Sequence, residues 1–202
     1  MNHMPQAYSP GTINRRFEVI NELVLAGSTW LVLYDQKTPF AAIVNAEVSE
    51  INGEPRHRVV ATLEMARRDQ CGEIFSVQDF WQDTDALKVE GVVVEPALQD
   101  MGLATLLYEC LVIDKNITLM SDNLHYEGGK ALWKKIAKSS KKLTVFVLDT
   151  DTGKFFPYDG TRVRYEGISI PEAEIWSIHP DNNRYGVILI AEDRRKHTQV
   201  AA

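Results

Sequence analysis

The sequence predicts an α/β fold of the mixed α+β kind. Antiparallel strands come first, a parallel strand–helix–strand unit follows, helices cover both faces of a central mixed sheet, and a β-rich extension closes the chain. Three observations predict it. Residues 89–94 form a β-branched, almost continuously apolar run, as in a strand covered on both faces. Leu103, Leu106, Leu107, Cys110 and Leu111 follow at helical spacing. Asn52-Gly53, between two apolar runs, is a strong hairpin signal. With 202 residues the chain can bury one substantial core, and residues 1–202 read as a single domain.

Taken in order, residues 1–12 hold Pro5, Pro10 and Gly11 with little apolar content and read as a loose arm. Residues 13–25 admit two readings. Ile13, Phe17, Ile20 and Val24 fit a helix face; Phe17, Val19, Leu23 and Leu25 nearly fit a strand face, and the helix is preferred. Strands are expected at 30–34, 40–48 and 57–65, a meander. Residues 66–86 read as a charged loop with Phe75, Phe80 and Trp81 as anchors. Strand 88–94 and helix 100–113 come next, then strand 117–120, helix 126–139 with Ala131, Leu132, Ile136 and Ala137 inward, and strand 143–148. That alternation favours parallel pairing. Short β-rich runs with Asp-Thr-Gly and Asp-Gly turns occupy 149–184, 185–191 is a final strand, and 192–202 frays.

Composition narrows the function. Apolar residues make up 45% and charged residues 25%, an ordinary globular balance. No apolar run approaches the roughly 20 residues of a membrane span, so no membrane partner is expected. Met1-Asn2-His3-Met4-Pro5 has neither a basic nor an apolar leader segment. Cys71 and Cys110 give no disulfide framework, and a reducing, cytoplasmic setting is expected. A net charge of −6 does not indicate nucleic-acid binding. The histidines, His3, His57, His125, His179 and His197, are scattered without ligand spacing, so no metal is expected.

The chemistry-bearing stretch is Gln99-Asp100-Met101-Gly102-Leu103-Ala104, between a buried strand and an amphipathic helix. A glycine at a helix mouth lets an anion approach free N–H groups, with the positive end of the helix dipole behind them. Phosphate or pyrophosphate is the natural guest; close packing alone is the other use of such a glycine. Ser121, Asp122 and His125 lie on one turn without a nucleophile elbow, so turn and cap chemistry explains them better than a hydrolytic triad. Gly128-Gly129 early in a helix loses about 1 kcal/mol per residue against alanine, which suggests close backbone approach to a strand or to a ligand.

These elements and motifs resemble the GNAT N-acetyltransferase superfamily. Val94-Glu95-Pro96 matches its strand end. Gln99, Gly102 and Ala104 match Gln/Arg-x-x-Gly-x-Gly/Ala, and Leu132-Trp133-Lys134-Lys135-Ile136 aligns with its Leu-Tyr-x-x-Leu segment. The likeness covers roughly residues 29–148 in architecture and 87–137 in motif, and the later half is similar to GNAT-like proteins of tailed bacteriophages. The resemblance implies acetyl-CoA as acyl donor, lying where two parallel strands splay. Backbone groups of Val92 and Val94 would pair with the pantetheine arm. The N–H groups of Gln99, Asp100, Met101, Gly102, Leu103 and Ala104 would hold the pyrophosphate, and a strand N–H would polarise the thioester carbonyl.

The partner so implied is an amine of unknown identity, small molecule or protein. Glu90, on the strand face of Val92 and Val94, is the candidate general base; Tyr126 and Ser121 are candidate acids. Two departures stand out. Asp100 puts a carboxylate beside the phosphate turn, and Trp133 occupies the position of the family's acid tyrosine. They motivate the alternative, a catalytically inactive GNAT-like binding module or phage structural protein.

Overall fold

The computed structural model describes residues 4–25, 27–67, 86–122, 126–176, 184 and 186–198. The chain divides into two compact units, Met1–Met65 with Glu90–Lys115, and Ala66–Val89 with Asn116–Ala202.

In the first unit β1 (Ala7–Tyr8) precedes α1 (Pro10–Arg16), and strands β2 (Glu18–Leu25), β3 (Ser28–Asp35), β4 (Phe40–Asn45), β5 (Ser49–Ile51) and β6 (Glu54–Ala66) follow. β2, β3, β4 and β6 are neighbours in that order and pair antiparallel. Asn52-Gly53 turns β5 back onto β6 as expected, pairing Ile51 with Glu54. β7 (Leu87–Val94) lies beside β6, and the Glu95 N–H donates to the Val60 carbonyl at 2.8 Å. Residues 90–94 of β7 are therefore the outermost strand of this unit's sheet. After a 3-10 turn at Pro96–Met101 comes α2 (Leu103–Asp114), which packs on β2 and β4. Leu103, Leu107, Cys110 and Leu111 are buried, with Tyr108 and Val112 beside them, while Leu106 is half-buried. Each buried leucine contributes about 1.5–3 kcal/mol of transfer free energy. A second cluster joins Tyr8, Ile13, Phe17, Leu33, Ala42, Val44 and Val59.

Two expectations for this unit are corrected. The supposed arm carries β1 and the start of α1, and residues 13–25 are mostly strand. Ser9 caps α1, its Oγ accepting from the Thr12 N–H at 3.1 Å, and Pro10 opens the helix, a start signal that composition alone hid. The helix stops at Arg16 because Phe17 turns extended and buries against Tyr8, ring centroids 5.1 Å apart. A register shift between Val19 and Asn21 then breaks the two-residue alternation of β2. That bulge is what made the apolar positions mimic a helical period.

In the second unit residues 87–89 of β7 run parallel to β8 (Leu119–Met120), pairing Leu87 with Leu119 and Lys88 with Met120. α3 (Glu127–Ser139) and β9 (Leu143–Asp149) follow, then β10 (Lys154–Phe155), β11 (Arg164–Tyr165), α4 (Glu172–Ile175), β12 (Val187–Asp193) and α5 (Arg195–Thr198). β12 lies between β8 and β9, antiparallel to both. So the expected run of parallel pairs is realised only at β7 and β8. Met120, Leu148, Ile188 and Ile190 form the core here with Ala66 and Ala86.

Three further expectations change. The strand at 117–120 shortens to Leu119–Met120. The inward face of α3 carries Trp133, Ile136 and Ala137, whereas Ala131 is exposed. The tail is less β-rich than its turns suggested, since β10 and β11 are 2 residues each. Glu192, expected in a frayed end, is buried in β12 and holds Arg162 at 2.6 Å and His197 at 2.5 Å. Phe75, Phe80, Trp81 and Cys71 lie outside the described residues. No helix among the described residues is long and apolar enough to cross a membrane.

Candidate functional site

The site is built where β7 ends. Its valines Val92, Val93 and Val94 are only half-buried, unusual for so apolar a run, and Glu90 is exposed on the face shared by Val92 and Val94. Pro96 starts the 3-10 turn, which buries none of its residues. Gln99 folds back, its Nε2 donating to the Val94 carbonyl at 3.5 Å, so a main-chain group assigned by resemblance to pantetheine already has a weak partner.

Gly102 ends the turn in the left-handed region, φ 77°, and stands at the N-cap of α2. Any side chain there is strained, yet a Cβ at Gly102 would meet nothing within 4 Å. Packing therefore does not demand the glycine; the backbone conformation does, and it leaves the helix mouth open. The Leu106 N–H makes the first bond of the helix, to the Gly102 carbonyl at 3.0 Å. Leu103, Ala104 and Thr105 precede it, and their N–H groups have no carbonyl one turn back. No side chain caps them. Asp100 is exposed and leaves these donors alone, so the wrong-signed charge of the turn does not fill the anion position.

A cation that the sequence did not reveal stands near this turn. Arg58, on β6, pairs with Glu95, the residue between β7 and the turn. They lie 37 residues apart, and only the strand register brings them together.

Of the candidate catalytic groups, Glu90 belongs to the first unit, and Ser121 and Tyr126 to the second. The Ser121 hydroxyl is buried and engaged: it accepts from the Leu189 N–H at 2.9 Å and donates to the Asp122 carbonyl at 2.9 Å. Tyr126 is 83% exposed at the N-cap of α3 and makes no capping bond. Trp133 is buried in the wall of the second unit. A Cβ at Gly128 or Gly129 would meet nothing within 4 Å, so close packing does not account for that pair. His3, His125 and His179 lie outside the described residues, among which no three metal-ligating side chains gather.

The second unit holds one further pair that sequence spacing missed. Lys88 Nζ lies 3.3 Å from Asp122 Oδ1, with the lysine side chain 12% exposed. The partners are 34 residues apart, joined by the parallel β7–β8 register.

Comparison with protein-family models, with curated proteins and with solved structures gives no match.

Proposed function

We propose that the chain binds acetyl-CoA and transfers its acetyl group to an amine, in the manner of the GNAT acyltransferases its motifs resemble. The observation that carries this reading is the unit made by β7, the 3-10 turn, left-handed Gly102 and the uncapped N-terminus of α2. A helix of 12 residues presents its first-turn N–H groups and the positive end of its dipole to an anion. A pyrophosphate is bound there by Leu103, Ala104 and Thr105 through main-chain donors, with the Arg58 guanidinium as the nearby cation. The half-buried valines of β7 supply an apolar strand edge for the pantetheine arm, and parallel pairing with β8 that stops at Lys88 is the kind of strand opening the ligand needs. Glu90 is the base that takes the proton from the attacking amine.

The second reading is a module that binds coenzyme A without turning it over. It is favoured by Trp133, buried where the resemblance calls for an acid tyrosine. Thermal unfolding with acetyl-CoA separates the outcomes. Ligand at 100 times its dissociation constant adds about 2.7 kcal/mol of stability. No shift at millimolar acetyl-CoA removes both readings. A shift without thiol release in the presence of a panel of primary amines leaves the binding module.

A further inference from the structure

Aminolysis of a thioester expels a thiolate, and that sulfur needs a proton or a neutralising charge. The donors suggested by sequence supply neither well. Ser121 spends its hydroxyl on the Asp122 carbonyl, Tyr126 is 83% exposed, and an indole such as Trp133 does not give up its proton at neutral pH.

Lys88 is placed differently. It is the last residue of β7 paired with β8, opposite Met120. Strand alternation puts it on the face of Glu90, Val92 and Val94. Its side chain is 12% exposed and its ammonium is held 3.3 Å from Asp122 Oδ1. Lysine is rarely buried unless paired, and a near-buried ammonium at the carboxyl end of a parallel strand pair lies where ligands of such sheets bind. If pyrophosphate sits on residues 99–104 and pantetheine passes Val94 and then Val92, the acyl end travels back along β7 toward Glu90 and Lys88. The distance from Val92 to Lys88 along the strand is about 13 Å.

We propose that Lys88 is the group that receives the leaving thiolate. This rests on the acyl-CoA reading above. The acceptor nitrogen bonds to the carbonyl carbon, the C–S bond breaks, and its electron pair stays on sulfur. A proton passes from Lys88 Nζ to the sulfur, giving the free thiol of coenzyme A. The proton shed by the new amide nitrogen goes to Glu90 or water, and Lys88 recovers its own from solvent. Three charges then face the sulfur: Lys88, which favours the thiolate, and Glu90 and Asp122, which oppose it.

The test uses coenzyme A bound to the full chain, with its thiol titrated by ultraviolet difference absorbance. A cation beside the sulfur lowers the thiol pKa by about 1–3 units relative to free coenzyme A. The wild type shows that lowering, Lys88→Met abolishes it, and Lys88→Arg, which keeps the charge, retains it. If Lys88→Met fails to fold, Lys88→Gln, whose amide still reaches Asp122, makes the same comparison. A bound thiol that titrates alike in wild type and in the uncharged variant overturns the role of Lys88 while leaving coenzyme A binding intact. Failure of coenzyme A to bind at all removes the acyl-CoA reading and this proposal together.

Discussion

Ser121 and Leu189 hold each other by two hydrogen bonds: the Ser121 N–H donates to the Leu189 carbonyl at 2.8 Å, and the Leu189 N–H donates to Ser121 Oγ at 2.9 Å. The short strand β8 is thereby extended one residue along β12 through a side chain. Ser121→Ala leaves the buried Leu189 N–H without its acceptor, which costs about 1–3 kcal/mol. Urea unfolding should show that loss, while acetyl-CoA affinity stays at the wild-type level because the hydroxyl is already used within the fold. A variant as stable as wild type would mean that Ser121 is not what satisfies Leu189.

Asp35 predicts an acid-sensitive step. Burial pushes its carboxyl up, but bonds from Thr38 Oγ1 at 2.6 Å, Arg16 Nε at 2.7 Å and the Thr38 and Lys37 amides outweigh that and hold the group at about 2. The folded value lies below the unfolded one of about 3.9, so the contribution is complete above pH 4 or so and disappears as pH falls through about 2. The size is about 2 kcal/mol. Between pH 5 and pH 2 the wild type should lose roughly that much more stability than Asp35→Asn, read as denaturant midpoints at each pH. Parallel pH profiles for the two proteins would refute the assignment.

What the sequence showed and hid follows from how far each feature reaches along the chain. The strand, the glycine turn and the helix face of Leu103, Leu107, Cys110 and Leu111 are local, and periodicity read them. Strand β2 was misread because its bulge destroys the two-residue period on which the reading depends. Insertion of β12 between β8 and β9 joins Ile190 to Met120 and to Phe146, a choice made by long-range pairing that no local pattern announces. The same holds at the site: Gly102 was legible, but Lys88–Asp122 and Arg58–Glu95 exist only once the strands are in register.

Two glycines with positive φ should respond differently to alanine. At Gly167, φ 85°, a Cβ would lie 2.8 Å from the Lys134 carbonyl oxygen and 3.1 Å from Lys138 Cβ, both on α3. Conformational strain of about 1–2 kcal/mol adds there to overpacking of about 1–3 kcal/mol. At Gly102, φ 77°, only the strain applies, since nothing lies within 4 Å. Gly167→Ala should therefore be the more destabilising in chemical denaturation. Gly102→Ala should instead be the one that weakens acetyl-CoA binding, because its methyl group stands at the open mouth of α2. Equal stability losses would show that α3 yields to the added methyl.

Glu90 offers the sharpest separation of binding from chemistry. It is exposed on β7, and it is not among the residues 99–104 proposed to hold phosphate. Replacing it by glutamine keeps the shape of the side chain and removes its basicity. Removal of a general base typically slows turnover by about 10²- to 10⁴-fold. For Glu90→Gln we expect a fall of that order in acetyl transfer to primary amines, with acetyl-CoA affinity by calorimetry unchanged. Supplying the acceptor at a pH above its own ammonium pKa should narrow the gap, since an amine already deprotonated has less need of the carboxylate. A turnover equal to wild type at every pH takes Glu90 out of the mechanism; a loss of affinity instead of rate makes it a binding residue.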